Sequence, residues 1–348
     1  MQQKLMKKVA VCGSLFFVIA LGLICYLSFH KVITIAGVAE DEVTKVVAAG
    51  QEKSEEEVQS LTFRLGNADT SYLRIPLPQG VKAQEIVLEN HYMDRQLWIM
   101  IKRPDASFYQ DNMISGNRKK VESGTFDVTE DEIKLNLKLT GIYECRTILE
   151  NDNLYIEFMS PREMHERIVV IDPACGGMDL GHKGNGVTEK EITLAVARKL
   201  KEKLDVSGIK AYYTRMDDVN PAPEERVALG NDIRADMYIR IQVNHAEDTA
   251  VYGTETLYNG YYFIPGFGSV ELADLLEREV VTAIKGKALG LKEAESGDVT
   301  IMEATIPAAS VGVGYVSNAQ EALLLSKEEY IDKIAAGIYE GIKKAYEE

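Results

Sequence analysis

The chain has 348 residues, with 39 Lys and Arg against 54 Asp and Glu, so its formal net charge is −15. A length of this order allows roughly two domains of about 100–200 residues. The acidic balance argues against a nucleic-acid partner, because binding to phosphates requires a basic surface. Four cysteines are too few for a disulfide scaffold.

The N-terminal segment predicts a membrane anchor. Residues 1–8 carry three lysines, and residues 9–29 then run without a charged side chain. A helix needs about 20 apolar residues to cross a bilayer, and positive charge before the span predicts a cytoplasmic N-terminus. A cleaved signal peptide is the alternative, although its apolar region is typically about 7–15 residues long. We therefore expect a single-pass protein of the cell membrane, with the bulk of the chain outside.

The next part of the chain changes from a polar to a β-like pattern. Residues 30–60 are rich in charge, which is typical of a solvated stalk. Within residues 61–160, short stretches such as 133–139 alternate apolar and polar side chains and are separated by turn residues. The apolar run 97–101 predicts a strand buried on both faces, with Trp98 in the core. This spacing of short strands predicts a small β-sandwich.

Residues 165–348 alternate strand-like and helix-like patterns. The apolar run 168–171 predicts a buried strand, and the segment after Thr188 places apolar side chains at helical spacing. Such alternation predicts an α/β fold with a largely parallel sheet flanked by helices. In sheets of this kind the functional site lies at the carboxyl ends of the strands. Cys145 and Cys175 would both lie outside the membrane, and whether they pair is left open.

Five segments, in order and spacing, resemble the zinc-dependent N-acetylmuramoyl-L-alanine amidases that cut bacterial peptidoglycan. The resemblance covers residues 167–348, about half of the chain. The β-rich segment before it resembles, more loosely, the wall-targeting AMIN domain often found ahead of such amidases. The five segments are residues 171–177, 188–194, 213–218 with 225–226, 238–244 and 307–318.

The resemblance implies a particular set of catalytic residues. In the family, two histidines and a glutamate hold Zn²⁺, the metal activates a water molecule, and a second glutamate takes its proton. Here Cys175 stands at the first histidine position and Gln242 at the second. Glu189 matches the glutamate ligand, whereas Gly312 stands where the catalytic base would be.

These replacements predict a site without a catalytic residue or a metal. The amide oxygen of Gln242 is a poor zinc ligand beside imidazole, and Gly312 has no side chain to accept a proton. Cys175 alone would not abolish metal binding, because thiolate is a good zinc ligand. Without a metal, Glu189 is an acid in the first turn of a helix, where the helix dipole favours it.

Replacement ligands and bases remain open alternatives. His245, or less favourably His182, could complete a zinc set with Cys175 and Glu189. A nucleophilic role for Cys175 would require a nearby histidine and an oxyanion site, and the sequence indicates no such pairing. The carboxylates nearest to the lost base are Glu255 and Glu303.

Polar residues at other family positions are candidate contacts to substrate. We assign this role to Arg215, Asn244 and Asn318. Arg215 and Arg226 are first expected to be structural, with ion pairs to Asp217 or Glu225. The favoured function is a non-catalytic protein that binds peptidoglycan or regulates a cell-wall hydrolase, with no cofactor. The alternatives are an active amidase with a rearranged zinc site and a scaffold in a division or sporulation assembly.

Overall fold

The computed structural model describes residues 59–64, 70–103, 105 and 107–347. The predicted cytoplasmic tail, the transmembrane span and nearly all of the stalk lie outside these residues. Among the helices that are described, none is both long enough and apolar enough to cross a membrane.

The first part of the described chain forms two antiparallel sheets. Its strands are β1 (Gln59–Ser60), β2 (Leu73–Pro76), β3 (Ile86–His91), β4 (Gln96–Ile101), β5 (Ser115–Gly116), β6 (Val121–Val128), β7 (Ile133–Leu139), β8 (Glu144–Glu150) and β9 (Asn153–Met159). One sheet has the order β1-β6-β7-β4-β3 and the other has the order β5-β2-β9-β8. Alternate side chains of both sheets, such as Ile75, Ile99 and Leu135, share one buried core. The segment is therefore a small β-sandwich, with a short helix α1 (Phe108–Asp111) beside it.

Trp98 lies on the outer side of its sheet, so the prediction that it belongs to the core was wrong. Strand β4 alternates between buried and half-buried side chains, and Trp98 is half-buried. The His91 ring packs against the indole with centroids 4.0 Å apart and planes inclined by 36°, and Lys134 Nζ lies 3.5 Å from the indole centroid. These neighbours cover apolar surface that would otherwise face water, which explains a continuous apolar run in a strand with one buried face.

The second part of the chain is built on a six-stranded sheet. Its strands are β10 (Ile168–Pro173), β13 (Lys210–Tyr213), β14 (Met237–Asn244), β15 (Thr254–Tyr258), β16 (Ala288–Glu293) and β17 (Ala308–Tyr315). Their order in the sheet is β13-β10-β14-β17-β15-β16. Strands β13, β10, β14 and β17 are parallel, whereas β15 is antiparallel to β17 and parallel to β16. The predicted α/β fold is confirmed, with a mixed sheet. A separate hairpin pairs β11 (Lys183–Gly184) with β12 (Val187–Thr188).

Helices cover both faces of this sheet. They are α2 (Pro161–Met164), α3 (Glu189–Leu204), α4 (Pro223–Ile233), α5 (Ser269–Ile284), α6 (Val299–Met302), α7 (Ala319–Leu325) and α8 (Glu328–Ala345). Helices α3, α5 and α8 bury apolar stripes in one core, and α4 and α6 pack on the other face. Because β10 and β14 are parallel neighbours, their carboxyl ends meet at one edge of the sheet, beside the central part of β17.

The β-sandwich is joined to the α/β part along the edge strand β13. The Tyr92 hydroxyl donates to the Tyr213 carbonyl (2.8 Å) and accepts from the Tyr213 amide (2.9 Å). The Glu144 carboxylate accepts hydrogen bonds from the Tyr212 hydroxyl and from Lys210 Nζ, the latter at 2.9 Å. These contacts cover an edge strand that would otherwise expose unpaired backbone groups.

Candidate functional site

The loop after β10 presents the thiol of Cys175 beside Glu189. Cys175 adopts a left-handed conformation (φ 62°), and its carbonyl accepts a hydrogen bond from Arg226 Nη2 at 3.0 Å. The Cys175 Sγ and Glu189 Oε2 atoms both lie 2.5 Å from the point that a Cβ on Gly181 would occupy, so only glycine fits there. Burial, followed by the negative charge of Glu189, raises the pKa of the Cys175 thiol to about 12. Cys175 is therefore a neutral thiol, and neither it nor Cys145 forms a disulfide.

Glu189 is buried at the start of α3 and is used within the fold. Its Oε2 atom accepts from the His182 backbone amide at 2.9 Å, and Oε1 accepts from the Val243 amide at 3.0 Å. The carboxylate thus ties the Cys175 loop to the end of β14. Hydrogen bonds to an ionised acceptor are among the stronger ones, so this carboxylate has a structural role.

Gln242 lies at the centre of a short hydrogen-bonded row on β14 and β17. Its Oε1 accepts from Ser310 Oγ at 2.8 Å, and its Nε2 donates to Asn244 Oδ1 at 3.1 Å. Gly312 lies opposite Gln242 in the sheet register. The Asn244 amide lies closer than 3.0 Å to the point that a Cβ on Gly312 would occupy. The side chain of Asn244 therefore fills the space next to Gly312.

The structure places His182 and His245 next to each other at the mouth of this site. Both are exposed, with ring centroids 5.8 Å apart and planes inclined by 22°. Glu255 lies opposite Gly312 in the pairing of β15 with β17. Its side chain therefore leaves the sheet on the face toward which a side chain on Gly312 would project. Glu303, by contrast, is exposed at the end of α6. Among the described residues, no three or more His, Cys, Asp or Glu side chains are arranged to hold a metal ion.

A buried ion pair holds the loop that carries Cys175. Arg226 Nη1 contacts Asp172 Oδ1 at 2.6 Å, and Asp172 also accepts from the hydroxyls of Thr214 and Tyr238. Burial alone would raise the pKa of Asp172, but the charges of Arg226 and Arg240 outweigh burial and hold that pKa below its ordinary value. Arg226 is therefore structural and ion-paired as expected, but its partner is Asp172 rather than Asp217 or Glu225.

Arg215 and Asn318 use their polar atoms inside the fold. Arg215 is 3% exposed, and its guanidinium donates to the carbonyls of Pro173 and Ala174, both at 2.9 Å. It contacts Asp217 through the backbone carbonyl of that residue. Asn318 caps α7 with its Oδ1 atom and donates from Nδ2 to a backbone carbonyl. These contacts position the loops around the site, and a role of either residue in substrate binding stays a prediction.

The sequence reasoning did not single out Arg240, which lies on β14 two residues before Gln242. Arg240 Nη1 donates to Asp298 Oδ1 at 3.0 Å and to Thr300 Oγ1 at 2.8 Å. Burial acts to lower its pKa, but Asp172 and Asp298 outweigh burial and raise it. An arginine inside an otherwise apolar strand was the available signal, because such a side chain requires a buried partner.

Comparison with known proteins identifies the family. The N-acetylmuramoyl-L-alanine amidase family profile matches residues 169–344, and the chain belongs to this family. The protein YqiI of Bacillus subtilis is 34% identical over 182 residues, which are 52% of this chain and 86% of YqiI. The germination-specific N-acetylmuramoyl-L-alanine amidase of the same organism is 32% identical, over 52% of this chain and 81% of that amidase.

A likeness to solved structures covers a similar share of the chain. The catalytic domain of CwlV, an N-acetylmuramoyl-L-alanine amidase from Bacillus (Paenibacillus) polymyxa, is 29% identical. It matches 52% of this chain and 98% of its own length, with a TM-score of 0.48.

Proposed function

We propose that this amidase-family chain no longer hydrolyses peptidoglycan and instead binds the cell wall or regulates a cell-wall hydrolase. The observation that carries the proposal is Gly312, which stands where the family resemblance places the catalytic glutamate. A glycine cannot accept a proton from water, and Asn244 occupies the space beside it. General-base catalysis requires a group within hydrogen-bond reach of the attacking water.

The side chains at the remaining family positions do not fit a zinc ion. Cys175 could bind zinc as a thiolate, but one good ligand does not make a zinc site. Both ends of the Gln242 amide are hydrogen-bonded to neighbouring side chains, and both oxygens of Glu189 accept from backbone amides. Binding a metal here would break several of these hydrogen bonds, so we propose that the site holds none.

An active amidase with a rearranged site is the second candidate. The neighbouring rings of His182 and His245 favour it, because two imidazoles could supply zinc ligands at the mouth of the cleft. Glu255 would then be the replacement base, since its backbone lies opposite Gly312. This function needs a movement that brings Glu189 or Cys175 to the two histidines.

We further propose that residues 9–29 anchor the chain in the cell membrane and that residues 59–347 lie outside. The uncharged sequence of this segment supports the anchor. Peptidoglycan, a cell-wall hydrolase or a division protein would then be within reach of the α/β part. The β-sandwich that precedes it is proposed to be AMIN-like, on the basis of its position and strand content.

Sedimentation with peptidoglycan tests this proposal. The full chain, purified in detergent, is mixed with protein-free sacculi, and the pellet and the soluble muropeptides are both analysed. We expect the protein in the pellet and no released stem peptides. Release of stem peptides would support the second candidate, and absence of the protein from the pellet would contradict wall binding.

A further inference from the structure

Three consecutive aromatic side chains are exposed in the loop that follows β15. Tyr261 is 80% exposed, Phe263 is 86% exposed, and Tyr262 between them is about half exposed. Contiguous exposed apolar surface is uncommon in soluble proteins and marks interaction sites more often than chance. We call residues Tyr261, Tyr262 and Phe263 the aromatic loop.

The aromatic loop stands on a rigid base. Asn259, which is 2% exposed, donates from Nδ2 to the carbonyls of Ile301 (2.9 Å) and Ala304 (3.2 Å). Its Oδ1 accepts from the backbone amides of Tyr261 (3.0 Å) and Tyr262 (3.2 Å). One buried amide therefore fixes the start of the loop to the end of α6 and the segment after it, so the rings are presented from a defined backbone.

The aromatic loop lies away from the cleft that contains Cys175, Gln242 and Gly312. Strand β15 runs antiparallel to β17, with Glu255 opposite Gly312 and Tyr258 opposite Ala309 at the start of β17. The loop therefore leaves the sheet at the edge opposite to the one that carries Cys175 and Gln242. A ligand on these rings would bind independently of the residues at the former catalytic positions.

The chemistry around the rings selects the class of ligand. The carboxylate of Glu293 packs against Gly260, and Glu295 is exposed two residues further on. Two carboxylates, within a chain of net charge −15, disfavour an anionic lipid surface. Exposed aromatic faces pack well against the C–H faces of pyranose rings, and carboxylates accept hydrogen bonds from hydroxyl and amide groups.

We propose that the aromatic loop binds a glycan chain of β-linked N-acetylated amino sugars. The choice of glycan rests on the proposed function at the cell wall. A neutral sugar chain provides apolar ring faces for Tyr261 and Phe263 and hydrogen-bond donors for the flanking carboxylates. The surface would hold the chain on a glycan strand without contributing to cleavage.

Titration with the β-1,4-linked N-acetylglucosamine tetramer tests this inference on the full chain in detergent. We expect the double variant Tyr261→Ala/Phe263→Ala to bind the tetramer at least about tenfold more weakly than the parent. Val206→Ala, at another highly exposed apolar position, is the matched control and should bind as the parent does. Tyr261→Phe keeps the ring and should retain most of the affinity.

Failure of this inference can be told from failure of the proposed function. A parent protein that does not bind the tetramer, or a double variant that binds it equally well, overturns the inference. A parent that binds the tetramer through the two rings but does not sediment with protein-free sacculi contradicts only the wall binding in the proposed function. The unfolding temperature of the double variant is the control for folding. Because both rings are exposed, we expect it to equal that of the parent, which shows that the loss of binding is local.

Discussion

The side-chain amide of Asn244 occupies the space into which a side chain on Gly312 would project, and each residue therefore depends on the other. An added Cβ would meet three atoms of the Asn244 amide group, all closer than 3.0 Å. Gln242 holds the amide in this position by donating to Asn244 Oδ1. The cleft is thus packed without a side chain at position 312, and adding one requires Asn244 to move.

Gly312→Ala tests this packing. The new methyl group must displace the Asn244 amide from its hydrogen bond, so we expect a loss of about 1–3 kcal/mol in the free energy of unfolding. Urea denaturation measures it. Gly297→Ala is the control, because its Cβ would meet nothing within 4 Å and should change stability by less than about 1 kcal/mol. Equal stability of Gly312→Ala and the parent would show that the space is open.

Introducing the family residues tests whether the proposed loss of chemistry is confined to three positions. The triple variant Cys175→His, Gln242→His and Gly312→Glu should regain zinc, measured as metal content after purification without chelator. Replacing Gln242 also releases Asn244, which makes room for the glutamate. Adding Glu189→Ala to the triple variant should remove the metal again. A triple variant without zinc would mean that the cleft has also changed in shape.

The buried pair of Arg226 and Asp172 should dominate the stability of the Cys175 loop. Arg226→Met removes the ion-pair partner of a buried carboxylate, and we expect a loss of about 3–5 kcal/mol in the free energy of unfolding. The control is Arg198→Met, because Arg198 and Asp217 are exposed and lie 3.7 Å apart, a pair worth at most about 1 kcal/mol. Chemical denaturation of both variants checks the contrast, and similar losses would contradict it.

The alternation of strands and helices predicted the α/β fold because each element buries an apolar face that its own sequence displays. The direction of β15 could not be predicted, since an apolar run does not encode which way its strand is laid. The partner of Arg226 was also missed, because Asp172 lies 54 residues earlier and only the tertiary fold brings the two together.

The residues of the candidate site were predictable as positions but not as contacts. The family spacing placed Cys175, Glu189, Gln242 and Gly312 near one edge of the sheet. The hydrogen bonds from two backbone amides to Glu189 and the position of the Asn244 amide next to Gly312 depend on the loop geometry, which local sequence does not determine.

The joint between the β-sandwich and the α/β part should weaken in acid. Burial raises the pKa of the Glu144 carboxyl, but Lys210, Tyr212 and His165 outweigh burial and lower it. A lowered folded-state pKa gives stability above the unfolded value of about 4.3 and loses it as the pH falls through the folded value.

Glu144→Gln should therefore reduce stability at pH 7 and shrink the difference in unfolding temperature between pH 7 and about pH 3.5. The exposed Glu150, on the same strand, provides the control variant Glu150→Gln. An unchanged pH difference in Glu144→Gln would show that this carboxylate does not stabilise the joint.

We propose that the amidase fold persists here without its chemistry, and one paired measurement on the purified full chain tests this. Zinc content is determined on protein prepared without chelator, and stem-peptide release from sacculi is followed on the same preparation. We predict substoichiometric zinc and no release above a blank. Stoichiometric zinc together with released stem peptides would show instead that the chain is an active amidase.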